Sequence, residues 1–232
     1  MENMDNFFTN AFENFEDKEE LYKAMFMNAD GWEAAKVRIE YYKKRFKSCG
    51  ENIYIGKGVS IGNPEAISLG NNVCISDGAT IIARSKDAAI NIGNNVTICQ
   101  RVYLDTERDD STINIGNDVY IGTGTSLFGH MGLDIGDHCL LAQNISLTPY
   151  SHKFENPDDL IANQGGNCKK VTIGRDTYVG MNATILYSGD IGEGCVVGSG
   201  TVVVKPLEPY SIAVGNPARV LRKRGEPKKI KE

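Results

Sequence analysis

The chain carries three histidines, His130, His138 and His152, and these are its best candidates for acid–base chemistry at neutral pH. An imidazole ionises near pH 6.5, so a positioned histidine can take a proton from a reacting group during catalysis. Histidine is also the commonest metal ligand, and a catalytic zinc held by three histidines would use all of them. The spacings of 8 and 14 residues leave both chemistries open, so the elements that position the histidines must decide between them.

A hexapeptide repeat organises most of the chain. Aliphatic residues recur at steps of six within successive groups. A step of six fits neither a helix nor a simple strand, but it fits a short strand followed by a tight corner. Three such sides complete one triangular coil, and stacked coils bring the aliphatic residues into a continuous core. This pattern predicts an all-β solenoid, and the twenty repeat positions are Ile55, Ile61, Leu69, Ile75, Ile81, Ile92, Ile98, Leu104, Ile115, Ile121, Leu127, Ile135, Leu141, Leu147, Ile173, Val179, Ile185, Ile191, Val197 and Val203.

Breaks in the repeat predict loops. Two steps of 11 residues, which begin at Ile81 and Leu104, indicate short projecting loops. The step from Leu147 to Ile173 is 26 residues, so residues 149–168 are predicted to leave the solenoid as one long excursion. Loops of this length in a compact domain are usually functional.

The repeat also places the histidines. His130 stands three residues after Leu127, and His152 follows the corner after Leu147, one coil later. We therefore expect His130 and His152 to lie along one edge of the prism. His138 stands three residues after a repeat position on another side, and we expect it at a different corner.

The two ends of the chain lack the repeat. Residues 1–48 carry helical spacing over 19–28 and 32–47, which predicts a helical cap on the first coil. The solenoid is predicted over 49–218, including the excursion. Residues 219–232 hold seven basic and two acidic residues, a net charge of +5, which predicts a basic tail suited to a polyphosphate ligand.

Composition excludes several classes of protein. The net charge of −5 argues against a nucleic-acid binder. The chain has no apolar run long enough for a membrane span. The acidic start, MENMDNFFTNAFENFED, does not resemble a secretory signal, and the six cysteines are scattered without a CxxC pair. These features predict a cytoplasmic protein with reduced thiols.

Two segments near the end resemble a known family. They read VTIGRDTYVGMNATIL and IGEGCVVGSGTVVVKPLEPYSIAVGNPARVLRKR, over residues 171–186 and 191–224. In these segments the chain resembles hexapeptide-repeat acyltransferases, above all the maltose/galactoside acetyltransferases and the polysaccharide O-acetyltransferases. The resemblance covers about residues 50–224. It implies a left-handed parallel β-helix, a homotrimer, and acetyl-CoA bound in the groove between neighbouring subunits.

The resemblance also implies roles for single residues. His152 falls on the family's catalytic histidine, and Tyr178 stands where the family has a tryptophan that lines the pocket. The resemblance gives His130, Asn144 and Tyr150 as candidates for the acceptor site, although Gly122 replaces the acceptor-binding asparagine of the galactoside acetyltransferases. The implied cofactor contacts are backbone groups that meet the pantetheine arm and cations that meet the phosphates, at Met181, Ser199, Val204, Lys205, Arg219 and Arg222.

These observations predict an acetyl-CoA-dependent O-acetyltransferase that needs no metal. His152 would deprotonate a hydroxyl of a sugar or polysaccharide acceptor, which attacks the thioester directly. An N-acetyltransferase of a nucleotide-linked amino sugar is the first alternative. A γ-type carbonic anhydrase, which needs three histidines around zinc, and a scaffold without catalytic activity are the others.

Overall fold

The computed structural model describes residues 18–227 and shows a three-sided parallel β-solenoid. Residues 1–17 of the predicted helical segment and residues 228–232 of the predicted basic tail lie outside the described part. The three sides are called face A, face B and face C, in the order in which the chain visits them. Neighbouring coils pair in register, so that Ile98 pairs with Ile121 and Ile121 pairs with Leu141.

Each face is one sheet built from successive coils. The strands of face A are Ser48–Cys49, Ile67–Leu69, Ala89–Ile92, Thr112–Ile115, Leu133–Ile135 and Val171–Ile173. Those of face B are Tyr54–Ile55, Cys74–Ile75, Thr97–Ile98, Tyr120–Ile121, Leu140–Leu141, Tyr178–Val179, Val196–Val197, Ser211–Val214 and Arg219–Lys223. Those of face C are Ser60–Gly62, Thr80–Ile82, Tyr103–Asp105, Ser126–Phe128, Ser146–Leu147, Thr184–Ile185 and Val202–Val203. A separate hairpin pairs Tyr150–His152 with Gly166–Cys168, and short 3-10 helices span Pro64–Ala66 and Ile161–Asn163.

The repeat positions form the core. Every one of the twenty aliphatic positions is buried except Ile61, which is partly buried in the first coil. Because each strand contributes only two or three residues per coil, a single coil cannot shield its aliphatic side chains from water, and the stack supplies the burial. The predicted fold class, a parallel β-helix of hexapeptide repeats with helices before it and one long excursion, is confirmed.

Glycines and asparagines build the A–B edge, which we define as the turns at residues 50–52, 70–72, 93–95, 116–118, 136–138, 174–176 and 192–194. Coils approach so closely there that a Cβ on Gly93 would lie 2.6 Å from the carbonyl oxygen of Gly116 in the next coil. Side-chain amides also stack between coils: Asn72 donates to Asn95 at 2.8 Å, and Asn95 donates to Asp118 at 2.8 Å. This edge is regular and internally hydrogen-bonded.

Two helices pack on the first coil, helix α1 over Lys18–Phe26 and helix α2 over Trp32–Lys43. The buried Arg38 of α2 joins them to the solenoid, since it donates to the carbonyl of Ile55 at 3.1 Å and to that of Phe26 at 2.8 Å. Helix α2 ends four residues before the predicted boundary because Phe46 turns into the core. Within the described residues, no helix is long and apolar enough to cross a bilayer.

The basic segment begins as a strand rather than as a tail. Residues Arg219–Lys223 pair antiparallel with Ser211–Val214 at the end of face B. The turn between these strands reaches face C, because the Ala218 N–H donates to the Val202 carbonyl at 2.8 Å. The strand therefore closes the last coil.

Candidate active site

All three breaks in the repeat fall on the C–A edge, which we define as the connections from face C to face A at residues 83–88, 106–111, 129–132 and 148–170. The two short loops and the excursion therefore project from the same side of the prism, with the tight turn at residues 129–132 between the second loop and the excursion. The excursion starts with the Tyr150–His152 strand, and its antiparallel partner strand returns the chain to face A. Residues that are far apart in sequence are thereby gathered at one edge.

Aromatic rings connect the two histidines of this edge. The ring of Tyr150 stacks on that of His130 with a centroid distance of 5.1 Å and an interplanar angle of 16°. The His152 ring meets Tyr150 edge-on, at 4.9 Å and 88°. Phe128 lies on the other side of His130 at 6.4 Å. The expectation that His130 and His152 share an edge is confirmed.

A buried carboxylate supports the edge one coil below. Asp105 is fully buried and accepts hydrogen bonds from Arg84 Nε at 2.7 Å and from the Tyr103 hydroxyl at 2.7 Å. The bond to this carboxylate raises the pKa of Tyr103 to about 12. The Gly129 N–H donates to the Asp105 carbonyl at 2.8 Å, so the network fixes the turn that carries His130.

The surroundings of His130 favour its neutral form. Burial lowers its pKa below the ordinary value of 6.5, while Glu107 acts in the opposite direction. Its Nδ1 atom is buried and has no hydrogen-bond partner among residues 18–227. Its backbone N–H donates to Thr106 at 2.8 Å. A neutral, half-buried imidazole beside Tyr150 is suited to packing and acceptor contact rather than to proton uptake.

His152 differs from His130 because its side chain is exposed at the end of the hairpin strand. Its Nδ1 atom lies 3.4 Å from the hydroxyl of Tyr150, whose ring it meets edge-on. An imidazole in this setting can exchange a proton with a reactant that arrives from outside the prism.

The structure places Tyr178 and His138 elsewhere. Tyr178 is exposed on face B, between Leu140 and Val196 of the neighbouring coils. His138 lies on the A–B edge, with Nδ1 at 3.3 Å from Asp118. One copy of the chain therefore does not bring Tyr178 to His152. Between residues 18 and 227 no group of three or more His, Cys, Asp or Glu side chains is arranged to hold a metal ion.

Three further candidates share the B–C edge, the turns at residues 76–78, 99–101, 122–124, 142–144, 180–182 and 198–200. Met181 and Ser199 are exposed there in adjacent coils, and the Gly200 N–H donates to the Met181 carbonyl at 2.8 Å. Asn144 lies on this edge too, one coil below Met181. Of the three acceptor-site candidates, His130 and Tyr150 therefore lie with His152, whereas Asn144 lies with the cofactor candidates.

The remaining cofactor candidates stand near the end of the solenoid. Val204 and Lys205 follow the last strand of face C, and the Lys205 side chain is exposed without an ion pair in the described part of the chain. Arg219 is exposed on the closing strand, and Arg222 donates to the carbonyl of Glu226 at 2.7 Å. Arg224, in contrast, is paired with Asp176 at 2.7 Å.

Sequence reasoning missed two features of the site. The network of Asp105 with Arg84 was not anticipated, although the two steps of 11 residues marked the loops that hold it. Gly166 was read only as a loop glycine, yet it lies opposite His152 in the hairpin. Pairing within an excursion depends on contacts that a six-residue period does not encode.

The comparisons with known proteins agree with this architecture. The family model described as "Hexapeptide repeat of succinyl-transferase" matches residues 112–149 and 170–205. A probable acetyltransferase of Mycobacterium tuberculosis is 37% identical over 95 residues, which cover 41% of this chain and 32% of that protein. The chain thus matches about a third of the length of such curated relatives.

Two solved structures share the fold. AntD, an N-acyltransferase from Bacillus cereus in complex with dTDP and 3-hydroxybutyryl-CoA, has a TM-score of 0.56 at 24% identity, over 85% of this chain and 91% of AntD. The polySia specific acetyltransferase NeuO has a TM-score of 0.53 at 22% identity, over 79% of this chain and 89% of NeuO. The resemblance to hexapeptide-repeat acyltransferases that the sequence predicted is confirmed.

Proposed function

We propose that this protein is an acetyl-CoA-dependent O-acetyltransferase whose acceptor is a hydroxyl of a sugar or surface polysaccharide. The observation that carries the proposal is the position of His152. It is exposed on the excursion, at the one edge where every break in the repeat projects, and its ring meets the ring of Tyr150 edge-on. The resemblance of residues 50–224 to acetyltransferases of this type supplies the reaction.

His152 acts as the general base in this proposal. One ring nitrogen takes the proton of the acceptor hydroxyl while its oxygen forms a bond to the thioester carbonyl carbon. The carbon–sulfur bond then breaks, and the proton passes from the imidazolium to the thiolate of coenzyme A. A sugar hydroxyl does not ionise at neutral pH, so a positioned base is worth about 10² to 10⁴-fold in rate.

Acetyl-CoA is the proposed co-substrate, and the chain offers both kinds of group that it needs. Met181 and Ser199 are exposed in adjacent coils along the B–C edge, which suits them to contact with the pantetheine arm. Lys205 and Arg219 are exposed cations without ion-pair partners among residues 18–227, which suits them to the phosphates. Arg222, on the same closing strand as Arg219, completes the proposed set.

A complete site then needs two copies of the chain, because His152 and Met181 lie on different edges of one prism. We therefore propose the homotrimer, with each groove formed by the C–A edge of one subunit and the B–C edge of its neighbour. The difference in polarity between the faces supports contact through face B. Its outward side chains include Tyr120, Leu140 and Tyr178, which are 37%, 52% and 41% exposed, whereas the outward positions of face A are polar, as at Asn91, Asn114 and Asp134.

The cytoplasmic location that the sequence predicted belongs to this proposal. All six cysteines are free thiols in the structure, which suits a reducing compartment.

Light scattering tests the proposed homotrimer, and a stable monomer of 25.4 kDa with full activity would contradict the two-subunit site.

A screen of sugars and amino sugars with detection of the released thiol tests the reaction. We expect thiol release from acetyl-CoA with hydroxyl acceptors, and a thermal shift with acetyl-CoA alone, since a ligand of the folded state raises stability. Turnover confined to amino sugars would replace this proposal with the N-acetyltransferase alternative. The absence of both a thermal shift and turnover would favour the scaffold.

A further inference from the structure

Tyr150 sits at the centre of the C–A edge, and its position suggests a role different from the acceptor contact that the resemblance implied. Its ring is half-buried between His130, on which it stacks at 5.1 Å, and His152, which it meets edge-on at 4.9 Å. Its backbone is tied to Thr148, whose hydroxyl accepts from the Tyr150 N–H at 3.3 Å. The side chain therefore has packing partners on two sides within its own chain.

Gly166 provides a third contact. It lies directly opposite His152 in the hairpin, and a Cβ built on it would fall 2.2 Å from Cζ of Tyr150 and 2.3 Å from the phenol oxygen. The phenol thus lies flat against the Gly166 backbone, in space that any other residue would fill. A glycine at this position is what allows the Tyr150 ring to reach the His152 ring.

The phenol oxygen is the polar neighbour of the catalytic candidate, at 3.4 Å from Nδ1 of His152. A histidine that accepts a proton at Nε2 must carry its other proton on Nδ1. The Tyr150 hydroxyl can either accept from Nδ1–H or donate to a bare Nδ1, and only the first arrangement corresponds to this tautomer. Holding the ring in one orientation also reduces the conformational freedom that is lost on reaching the transition state.

We propose that Tyr150, held in place by His130 and Gly166, is a positioning residue that fixes the orientation and the tautomer of His152. The inference rests on the proposed function of His152 as general base. Tyr150 then acts through His152 and does not bind the acceptor. Its phenol oxygen accepts from Nδ1–H throughout the cycle and exchanges no proton with the substrate.

The experiment compares Tyr150→Phe, Gly166→Ala and His152→Ala, with Tyr54→Phe on face B as the matched control. Tyr150→Phe keeps the stacked ring and removes only the hydroxyl. We expect a fall in kcat of about 3- to 10-fold, the effect of one neutral hydrogen bond, with the KM values for acetyl-CoA and acceptor unchanged. Gly166→Ala displaces the ring, and we expect a loss of more than about 10-fold. Tyr54→Phe should match the wild type.

A second readout does not depend on turnover. The chain has three histidines, so imidazole ¹⁵N spectra of the full-length protein hold three sets of signals, which His130→Asn, His138→Asn and His152→Ala assign. We expect the neutral His152 ring to be protonated on Nδ1 in the wild type and to become a mixture of tautomers in Tyr150→Phe.

The outcomes separate this inference from the proposed function. Loss of turnover in His152→Ala together with wild-type kcat and tautomer in Tyr150→Phe would overturn the positioning role and leave the general base intact. A raised acceptor KM at unchanged kcat in Tyr150→Phe would also overturn it, because Tyr150 would then contact the acceptor. Full turnover in His152→Ala would instead remove the proposed base, while the spectra would still show whether Tyr150 orients its neighbour.

Discussion

The A–B edge and the C–A edge belong to the same solenoid, yet they differ in almost every physical respect. The A–B edge repeats a glycine and an amide or carboxylate in coil after coil, and its side chains are satisfied by their counterparts above and below. The C–A edge carries insertions of three lengths, a buried carboxylate paired with Arg84, and a buried ring nitrogen without a partner between residues 18 and 227. We propose that the regular edge stabilises the fold and that the irregular edge holds the acceptor site.

Removing the excursion is the most severe test of this division. Deletion of residues 150–167 shortens the step from Leu147 to Ile173 from 26 to 8 residues, the step found between Leu127 and Ile135. Residues 152–163 are exposed, so few buried contacts are lost. We expect the free energy of unfolding to change by no more than about 1 kcal/mol and thiol release to fall by about 10² to 10⁴-fold. A deletion variant that does not fold, or one that keeps wild-type thiol release, would contradict this contrast between the two edges.

Overpacking the regular edge is expected to have the opposite signature. Gly93→Ala places a Cβ 2.6 Å from the backbone of the next coil, so the coils must separate. We expect a loss of about 2 kcal/mol in unfolding free energy, measured by urea denaturation, with the KM for acetyl-CoA unchanged. Gly62→Ala is the control, because its Cβ meets only a side chain of Ile82 at 3.2 Å. Equal unfolding free energies of Gly93→Ala and Gly62→Ala would show that the turns of the A–B edge are not tightly packed.

Cations on the two edges provide a third contrast. Lys205 follows the last strand of face C and has no ion-pair partner in the described part of the chain, whereas Arg224 is bound to Asp176 on the A–B edge. We expect Lys205→Ala to raise the KM for acetyl-CoA about tenfold with little change in kcat, since a phosphate contact stabilises ground and transition states alike. Arg224→Ala should leave that KM unchanged. A raised KM in Arg224→Ala together with an unchanged KM in Lys205→Ala would instead place the phosphate site on the A–B edge.

The smallest expected effect concerns pH and His130. Burial lowers the pKa of His130 in the folded state, so below pH 6.5 the unfolded chain takes up a proton before the folded chain does. The contribution of His130 to stability is therefore complete above pH 6.5 and is lost as the pH falls. We expect the Tm to decrease on acidification less steeply in His130→Asn, which tolerates the φ of 44° at this position. An identical dependence of Tm on pH in the wild type and in His130→Asn would mean that the His130 ring is solvated in the folded protein.

Much of the fold could be predicted because each side of the solenoid uses six residues and buries one aliphatic side chain, so the geometry appears in the sequence as a short period. Twenty aliphatic residues at steps of six were enough to find the core, and only Ile61, in the first coil, is not fully buried. The phase of the repeat also put His130 and His152 on one edge and His138 on another. Helix α2 ended earlier than predicted because tertiary burial of Phe46 outweighed the helical pattern.

The site was less predictable because its residues leave the repeat. Tyr150 was assigned to the acceptor, and only the structure shows its ring between His130 and Gly166. Asn144 was predicted to belong to the acceptor site, and the structure puts it on the B–C edge, away from the His152 of the same chain. Neither Gly166 nor the Asp105 network follows a period, so their contacts are visible only in the three-dimensional structure.

The most direct measurement for this account is the turnover of His152→Ala with the best hydroxyl acceptor, beside its affinity for acetyl-CoA. If His152 is the general base, kcat falls by about 10² to 10⁴-fold while acetyl-CoA binding stays at the wild-type level. His138→Ala, on the A–B edge, serves as the control and should keep wild-type turnover. Near wild-type turnover in His152→Ala would contradict the account, because the proton would then not be taken at the edge that holds every break in the six-residue repeat.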